Sequence, residues 1–183
     1  GIRDLAARMA GLQTGELDLT YGLTGKLLPR VMADPKLRWN PNFTAPWHLM
    51  FPGYNEPSSP FHDKRVRQAV SLAINRQFVV KQETQGIGKP WGNWISHENR
   101  DALRGDGTEL PVPPYDPAKA KQLLAEAGFP NGFDIELLTY VAVTQWTAAI
   151  QNYLAAVGIK ARINQMQVSP AIQKAHKGEA QLY

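Results

Sequence analysis

Residues 133–163 read FDIELLTYVAVTQWTAAIQNYLAAVGIKARI, and this stretch decides the fold class. Apolar residues alternate with polar ones at both of its ends, as in half-buried strands: Phe133, Ile135 and Leu137, then Ile159, Ala161 and Ile163. Between these ends, apolar residues recur at helical spacing: Trp146, Ala149, Ile150, Tyr153, Leu154 and Val157. A strand, a helix and a strand joined by one crossover of this length imply a right-handed parallel unit. The predicted fold class is therefore α/β, with helices that cover a sheet.

The segment before this unit carries clear helix boundaries. Asp116 is an N-cap residue and Pro117 suits the first helical position, so a helix is predicted to begin there. Gly128 is suited to the left-handed position after a helix, and Phe129 can pack on Leu124, as in a Schellman ending. These signals predict a helix that leads directly into the first strand of the unit.

The remainder of the chain predicts further helices and three more strands. Asp63 caps a helix with a single apolar stripe, and Asn75 can cap the next helix over residues 76–85. Other helices are predicted at residues 5–14, 26–33 and 169–177, and strands at residues 16–21, 37–43 and 47–51. With the parallel pair, these strands predict a mixed sheet. Residues 86–114 have weak periodicity, and a loop of this length is usually functional or disordered.

Composition and charge narrow the possible functions. The chain has 183 residues and no cysteine, which excludes a disulfide scaffold, thiol catalysis and cysteine-ligated metal centres. The net charge of +4 would suit an anionic partner, but Lys and Arg are spread along the chain, which favours a mildly basic surface. No apolar run reaches the roughly 20 residues that span a bilayer. No signal peptide opens the chain, so an exported protein would carry its signal outside residues 1–183.

Catalytic and metal sites are not predicted. The four histidines have no partner at a metal-ligand spacing: His48, His62, His97 and His176. No serine lies in a G-x-S-x-G elbow, and residues 86–92 lack the third glycine of a dinucleotide-binding loop. We therefore predict no catalytic residue, no metal, no cofactor and no enzyme. A hydrolase stays open as an alternative, and it would need a nucleophile with a base in reach.

Aromatic residues outside the core stripes are the candidate binding residues. Those in the long loop or beside predicted strand ends are Tyr21, Trp91, Trp94, Tyr140 and Trp146, and Gln145 precedes the last of them. Ligands of open α/β sheets collect beyond the carboxyl ends of strands, where aromatic rings supply contact area with a polar handle. The competing interpretation is that Trp146 belongs to the core stripe of its helix, and that Trp91 and Trp94 anchor the long loop by packing against the protein.

Four stretches of the chain resemble signatures of the family 5 extracytoplasmic solute-binding proteins, and they follow one another along the chain in the same order as in that family. Residues 60–76, PFHDKRVRQAVSLAINR, are similar to the pattern P-F-D-D-x-R-V-R-Q-A-x-x-x-A-I-D-R. Residues 115–133, YDPAKAKQLLAEAGFPNGF, resemble Y-D-P-x-K-A-x-x-L-L-x-x-A-G-[YF]-P-x-G-F. Residues 12–19, LQTGELDL, and the Gln, Leu and Val-Gly-Ile-Lys within residues 151–160 resemble two further signatures. This family includes the dipeptide-, oligopeptide- and nickel-binding proteins of ABC importers.

The resemblance implies a two-lobed clamp of the type II periplasmic-binding-protein kind. Residues 1–183 would form a single α/β lobe, with the first lobe and the closing segment absent. The expected function is capture of a small solute, such as a peptide, an opine, a sugar or another small organic molecule. The solute would pass to the membrane permease of an ABC importer. A monomer without nucleic acid is expected, in the periplasm or as an outer-surface lipoprotein.

The candidate wall of the solute cleft consists of seven residues. They are Tyr21, Trp91, Trp94, Tyr140, Gln145, Trp146 and Gln167. Peptide binders of the family often carry an Arg between the equivalents of Tyr140 and Trp146, and oligopeptide binders often place Trp where this chain has Gln167. Both departures argue against a peptide ligand, and a less charged solute remains possible. Besides the hydrolase, the alternative function is a basic nucleic-acid-binding domain, which steeply salt-dependent DNA binding would support.

Overall fold

The computed structural model has the predicted α/β class. It describes residues 2, 4–23, 27–40, 48–84, 86, 88–92, 110–140 and 144–182. The helices are α1 Leu5–Thr14, α2 Leu28–Ala33, α3 Lys64–Ala73, α4 Arg76–Thr84, α5 Pro117–Glu126, α6 Thr144–Ala156 and α7 Val168–His176; the strands are β1 Phe133–Tyr140 and β2 Ile159–Met166. A 3-10 helix, Pro60–His62, precedes α3. Within these described ranges, no helix has the length and apolar content needed to cross a membrane.

The two strands form the parallel pair that the sequence predicts. Phe133 pairs with Ile159 at the start of the ladder and Tyr140 pairs with Met166 at its end, while α6 makes the crossover. Leu182 extends the sheet on the other side of β1, because its carbonyl oxygen accepts a 2.8 Å hydrogen bond from the Leu138 amide. The carboxyl ends of β1 and β2 therefore meet at one edge of the sheet.

The helix boundaries before the sheet follow local chemistry. The Asp116 carboxylate accepts a 2.8 Å hydrogen bond from the Lys119 amide at the start of α5. At the end of α5, the Phe129 amide donates to the Leu124 carbonyl over 2.8 Å, and Gly128 takes the left-handed conformation with φ 92°. This is the predicted Schellman ending, and it turns the chain toward β1.

Helices cover both faces of the sheet. On one face, α3, α5 and α6 enclose the main core, whose largest fully buried members include Phe61, Leu124, Leu137, Leu154, Ile159 and Leu182. On the other face, α7 packs Ala171 against Leu138 and Ala180. Because both faces are covered, the described strands are apolar on both sides at several positions, as expected for a parallel sheet.

The arginines of residues 60–76 stabilise the fold through backbone carbonyl groups. The Nη1 atom of Arg65 donates to the Glu126 carbonyl oxygen over 2.7 Å, at the negative end of α5. Arg67 donates to the Phe61 carbonyl over 2.6 Å. Burial lowers the pKa of Arg76, whose guanidinium donates to the Ser71 carbonyl over 2.6 Å. The basic cluster of this segment therefore has a structural role in joining helix ends.

An acid-dependent part of the stability is expected from Asp63. Its hydrogen bonds with the Arg65 side chain and amide lower the pKa of Asp63 from 3.8 to about 2. Since this folded-state pKa lies below the unfolded value, the contribution is present above pH 3.8 and is lost as the pH falls toward 2. We expect Asp63→Asn, which keeps an N-cap side chain, to remove this part of the pH dependence. Urea unfolding at a series of pH values measures it, and identical acid limbs for the two proteins would contradict it.

The predicted early strands are wrong where the structure describes them. Residues 16–21, 37–40 and 48–51 form no strand, and residues 41–47 lie outside the described residues. Leu19 is 85% exposed and Tyr21 is 82% exposed, so the alternation of residues 16–21 does not face a core. A strand needs a hydrogen-bonded neighbour, and the described residues supply none for these segments. The described sheet is consequently parallel.

Candidate functional site

The carboxyl edge of the parallel pair collects four of the seven predicted wall residues. β1 ends at Tyr140, and α6 begins at Thr144, so that Gln145 and Trp146 lie in its first turn. β2 ends at Met166, the ladder partner of Tyr140, and Gln167 follows it directly. We define the carboxyl edge as Tyr140, the first turn of α6, Met166 and Gln167. This is where the strand–helix–strand unit was predicted to hold a ligand.

The two aromatic residues of the carboxyl edge are both half-buried. Tyr140 packs with Met166 against the small core cluster beneath α7. Trp146 packs against the main core on the opposite face, which agrees with its place in the apolar stripe of α6. Their partial exposure leaves part of each residue available at the edge, and their packed parts fix their positions. The binding and the core interpretations of Trp146 are thus compatible.

Glutamine side chains supply the polar component of the carboxyl edge. Gln167 is exposed at the N-cap position of α7, and it makes no side-chain capping hydrogen bond there. Gln145 lies within α6, but its side chain is outside the described residues. A carboxamide offers both a donor and an acceptor, so Gln167 is suited to a neutral polar group of a ligand.

The contacts described for Tyr21 and Trp91 are with nearby residues of their own segments or of α1. Tyr21 contacts α1, where the Arg8 guanidinium lies 5.5 Å from the ring centroid and donates to the Tyr21 carbonyl oxygen over 3.1 Å. Trp91 is half-buried, and the Lys89 ammonium lies 4.8 Å from its ring centroid. Trp94 lies outside the described residues.

The carboxyl edge is built from uncharged segments. Residues 137–159 and residues 163–173 contain no Asp, Glu, Lys, Arg or His. The nearest ionic group along β1 is Glu136, which pairs with Arg162 over 3.0 Å and also with Lys174 of α7. Burial would raise the pKa of Glu136, but hydrogen bonds from Lys174 and Asn164 lower it on balance. These two ion pairs join β1, β2 and α7, while the segments that form the edge carry no charged side chain.

Sequence reasoning did not predict two open grooves that the described residues form. The larger, about 670 Å³, is lined by Leu49, Met50, Phe51, Pro52, Tyr54, Arg67, Ile172, Ala175 and His176. The smaller, about 520 Å³, follows β2 near Gln151 and Arg162. Neither includes a residue of the carboxyl edge, and the larger lining is mainly apolar. The described residues contain no group of three or more His, Asp or Glu that could hold a metal.

Comparison with known sequences finds one family over nearly the whole chain. The model of the bacterial extracellular solute-binding proteins, family 5, middle region, matches residues 2–183. Heme-binding protein A of Haemophilus influenzae is 32% identical over 135 residues, which cover 74% of this chain and 24% of that protein. Di/tripeptide-binding protein 1 of Pseudomonas aeruginosa is 30% identical over 190 residues, which cover 96% of this chain and 33% of that protein. The chain therefore spans a third or less of the length of these relatives.

Comparison with solved structures finds the same architecture. The ABC transporter-associated periplasmic binding protein DppA of Helicobacter pylori, in complex with the peptide STSA, superposes with a TM-score of 0.77. It is 22% identical, and the match covers 99% of this chain and 34% of that protein. This likeness agrees with the α/β class predicted from residues 133–163, and it confirms the fold of the type II periplasmic-binding-protein kind that the resemblance implied.

Proposed function

Because the chain belongs to the bacterial extracellular solute-binding proteins of family 5, we propose that it captures a small solute for an ABC importer. In this proposal residues 1–183 form one lobe of a two-lobed clamp, and the carboxyl edge forms one wall of the cleft. The observation that carries the proposal is the gathering of Tyr140, Trp146 and Gln167 at the ends of β1, α6 and β2. Site residues held by strand and helix ends keep a fixed geometry, which favours binding.

Capture works by enclosure. The rings of Tyr140 and Trp146 would stack on the solute, and the side chains of Gln145 and Gln167 would exchange hydrogen bonds with it. Closure of a second wall would exclude water and strengthen each of these contacts. Tyr21, Trp91 and Trp94 remain proposed contributors to the wall. The relatives found are binding proteins, and we propose that this chain likewise catalyses no reaction.

The neutral edge bears on the class of solute. A free carboxylate is normally held by Arg or Lys, and residues 137–159 and 163–173 offer neither. The proposed solutes are a peptide, an opine, a sugar or another small organic molecule, and among them the edge favours those with few charges. We place the protein outside the cytoplasmic membrane, in the periplasm or on the outer surface. It would act as a monomer, pass its solute to the membrane permease and bind no nucleic acid.

A ligand screen tests the proposal. The protein is heated with the dipeptide Met-Leu, glutathione, mannopinic acid, maltose or haem, and its Tm is recorded for each. A solute at 100 times its Kd stabilises the folded state by about 2.7 kcal/mol, which shifts Tm by roughly 5–10 °C for a chain of this size. A saturable shift with one of these compounds, and no consumption of it, supports capture. Turnover of the compound would support the hydrolase instead.

Removing the amide of Gln167 is expected to weaken binding while leaving the fold intact. Gln167→Ala deletes a side chain that is exposed and makes no capping bond, so Tm without solute should stay within about 1 °C. One lost hydrogen bond should raise the Kd about two- to tenfold, measured by calorimetry with the best compound of the screen. Gln173→Ala, on an exposed position of the same helix, is the matched control and should leave the Kd unchanged. Equal effects of the two variants would remove Gln167 from the proposed wall.

A further inference from the structure

Two buried threonines lie directly beneath the carboxyl edge. Thr139 is the last residue but one of β1, Thr147 lies in the first turn of α6, and each is 4% exposed. They are the two polar residues in the buried interior of the described ranges. The Thr147 hydroxyl donates a hydrogen bond to the Thr139 hydroxyl over 3.1 Å. A hydroxyl pair in an otherwise apolar interior is a specific feature, because burying a hydroxyl is costly unless it is hydrogen-bonded.

The position of this pair connects it with the proposed solute contacts. Thr139 immediately precedes Tyr140, and Thr147 immediately follows Trp146. Thr139 also donates from its hydroxyl to the Tyr140 carbonyl oxygen over 3.4 Å. Only three residues connect the end of β1 to the start of α6. The hydrogen bond therefore joins the two backbone segments that carry the aromatic rings, at the point where the chain passes from one to the other.

We propose that the Thr139–Thr147 hydrogen bond positions Tyr140 and Trp146 relative to each other and so sets the geometry of the solute wall. This inference rests on the proposed function, and the two threonines act as positioning residues that do not touch the solute. An apolar pair of the same shape would fill the space without a preferred register, whereas a hydrogen bond holds one alignment of strand and helix. A wall that is aligned before the solute arrives binds with a smaller ordering cost.

Paired substitutions at Thr147 separate positioning from packing. Thr147→Val keeps the shape and loses the hydroxyl, whereas Thr147→Ser keeps the hydroxyl and loses a methyl group. Both are made in the full chain, and amide hydrogen exchange of residues 147–151 is followed without solute. We expect exchange at least about fivefold faster in Thr147→Val, since the hydrogen bond that joins β1 to α6 is lost, and rates near those of the parent in Thr147→Ser. The Kd of the screened compound that gives the largest Tm shift, measured by calorimetry, should rise by a similar factor in the valine variant alone.

Thr139 supplies an independent second pair. Thr139→Val suits a strand and should fold, and its exchange and Kd are expected to change as those of Thr147→Val do, with Thr139→Ser near the parent. Parent-like exchange in both valine variants, or faster exchange in the serine variants only, would show that the pair merely fills space and would overturn the inference. If the parent chain binds no compound of the screen, the proposed function fails, and the exchange rates still decide whether the pair aligns the edge.

Discussion

Replacing Gly132 with alanine is expected to destabilise the protein by about 4 kcal/mol or more, or to prevent folding. A Cβ atom at this position would lie 1.9 Å from the Gly158 carbonyl oxygen and 2.3 Å from its carbonyl carbon. Gly132 also has φ 74°, a conformation that L-residues rarely adopt. The two glycines precede Phe133 and Ile159, the first ladder pair of the sheet. Relief of the clash would therefore separate β1 from β2 where their pairing begins.

Gly128→Ala is the matched control for this substitution. Gly128 has φ 92°, so alanine there meets the same conformational penalty, but no atom lies within 4 Å of the added Cβ. We expect a loss of about 1–2 kcal/mol in urea unfolding, from the left-handed backbone alone. Similar losses in the two variants would show that the backbones of Gly132 and Gly158 are not in close contact.

The sequence alone predicts the secondary structure correctly where local capping signals and apolar periodicity agree. In the strand–helix–strand unit, alternation predicts β1 and β2, and the spacing of apolar residues predicts α6. The caps Asp63 and Asp116 and the ending at Gly128 are also local, because each depends on a few neighbouring residues. The resemblance extended these predictions to the architecture, and the comparisons confirm it.

The early strands show where alternation fails as evidence. Residues 16–21 alternate as regularly as β1 does, yet Leu19 is among the most exposed apolar residues of the described chain. Alternation identifies a segment that could be a strand, but pairing depends on a distant neighbour that local residues do not encode. β1 has that neighbour in β2, which returns to it through a short crossover.

Part of the candidate site was likewise predictable from the sequence, and part was not. The topology of a single parallel unit brings Tyr140, Gln145, Trp146 and Gln167 to one edge, so a sequence that predicts the unit also predicts this grouping. The hydrogen bond between Thr139 and Thr147 was missed, because threonine is common in strands and at helix starts. Only the way in which α6 packs against β1 brings the two hydroxyl groups within hydrogen-bond distance.

The second large effect is expected at Phe61, a core residue within residues 60–76. This side chain is fully buried in the 3-10 helix before α3, and its ring centroid lies 5.0 Å from that of Phe51 and 6.0 Å from that of Phe133. Phe61→Ala removes the contact between three separate segments and leaves a cavity, for which we expect a loss of about 3–5 kcal/mol in urea unfolding. The Arg67 hydrogen bond to the Phe61 carbonyl holds the backbone in place and limits collapse of that cavity.

Phe78→Ala is the control for Phe61→Ala, because it removes the same ring from a position that is 51% exposed. Its cost should stay within about 0.5 kcal/mol, since most of that ring already contacts water. Phe61 and the carboxyl edge both depend on β1, which carries Phe133 at one end and Tyr140 at the other. Any loss of solute affinity in Phe61→Ala should therefore come from the loss of folded protein. It should disappear when the Kd is calculated from the concentration of folded protein alone. A Kd that stays raised after that correction would mean that the core transmits its packing to the edge through β1.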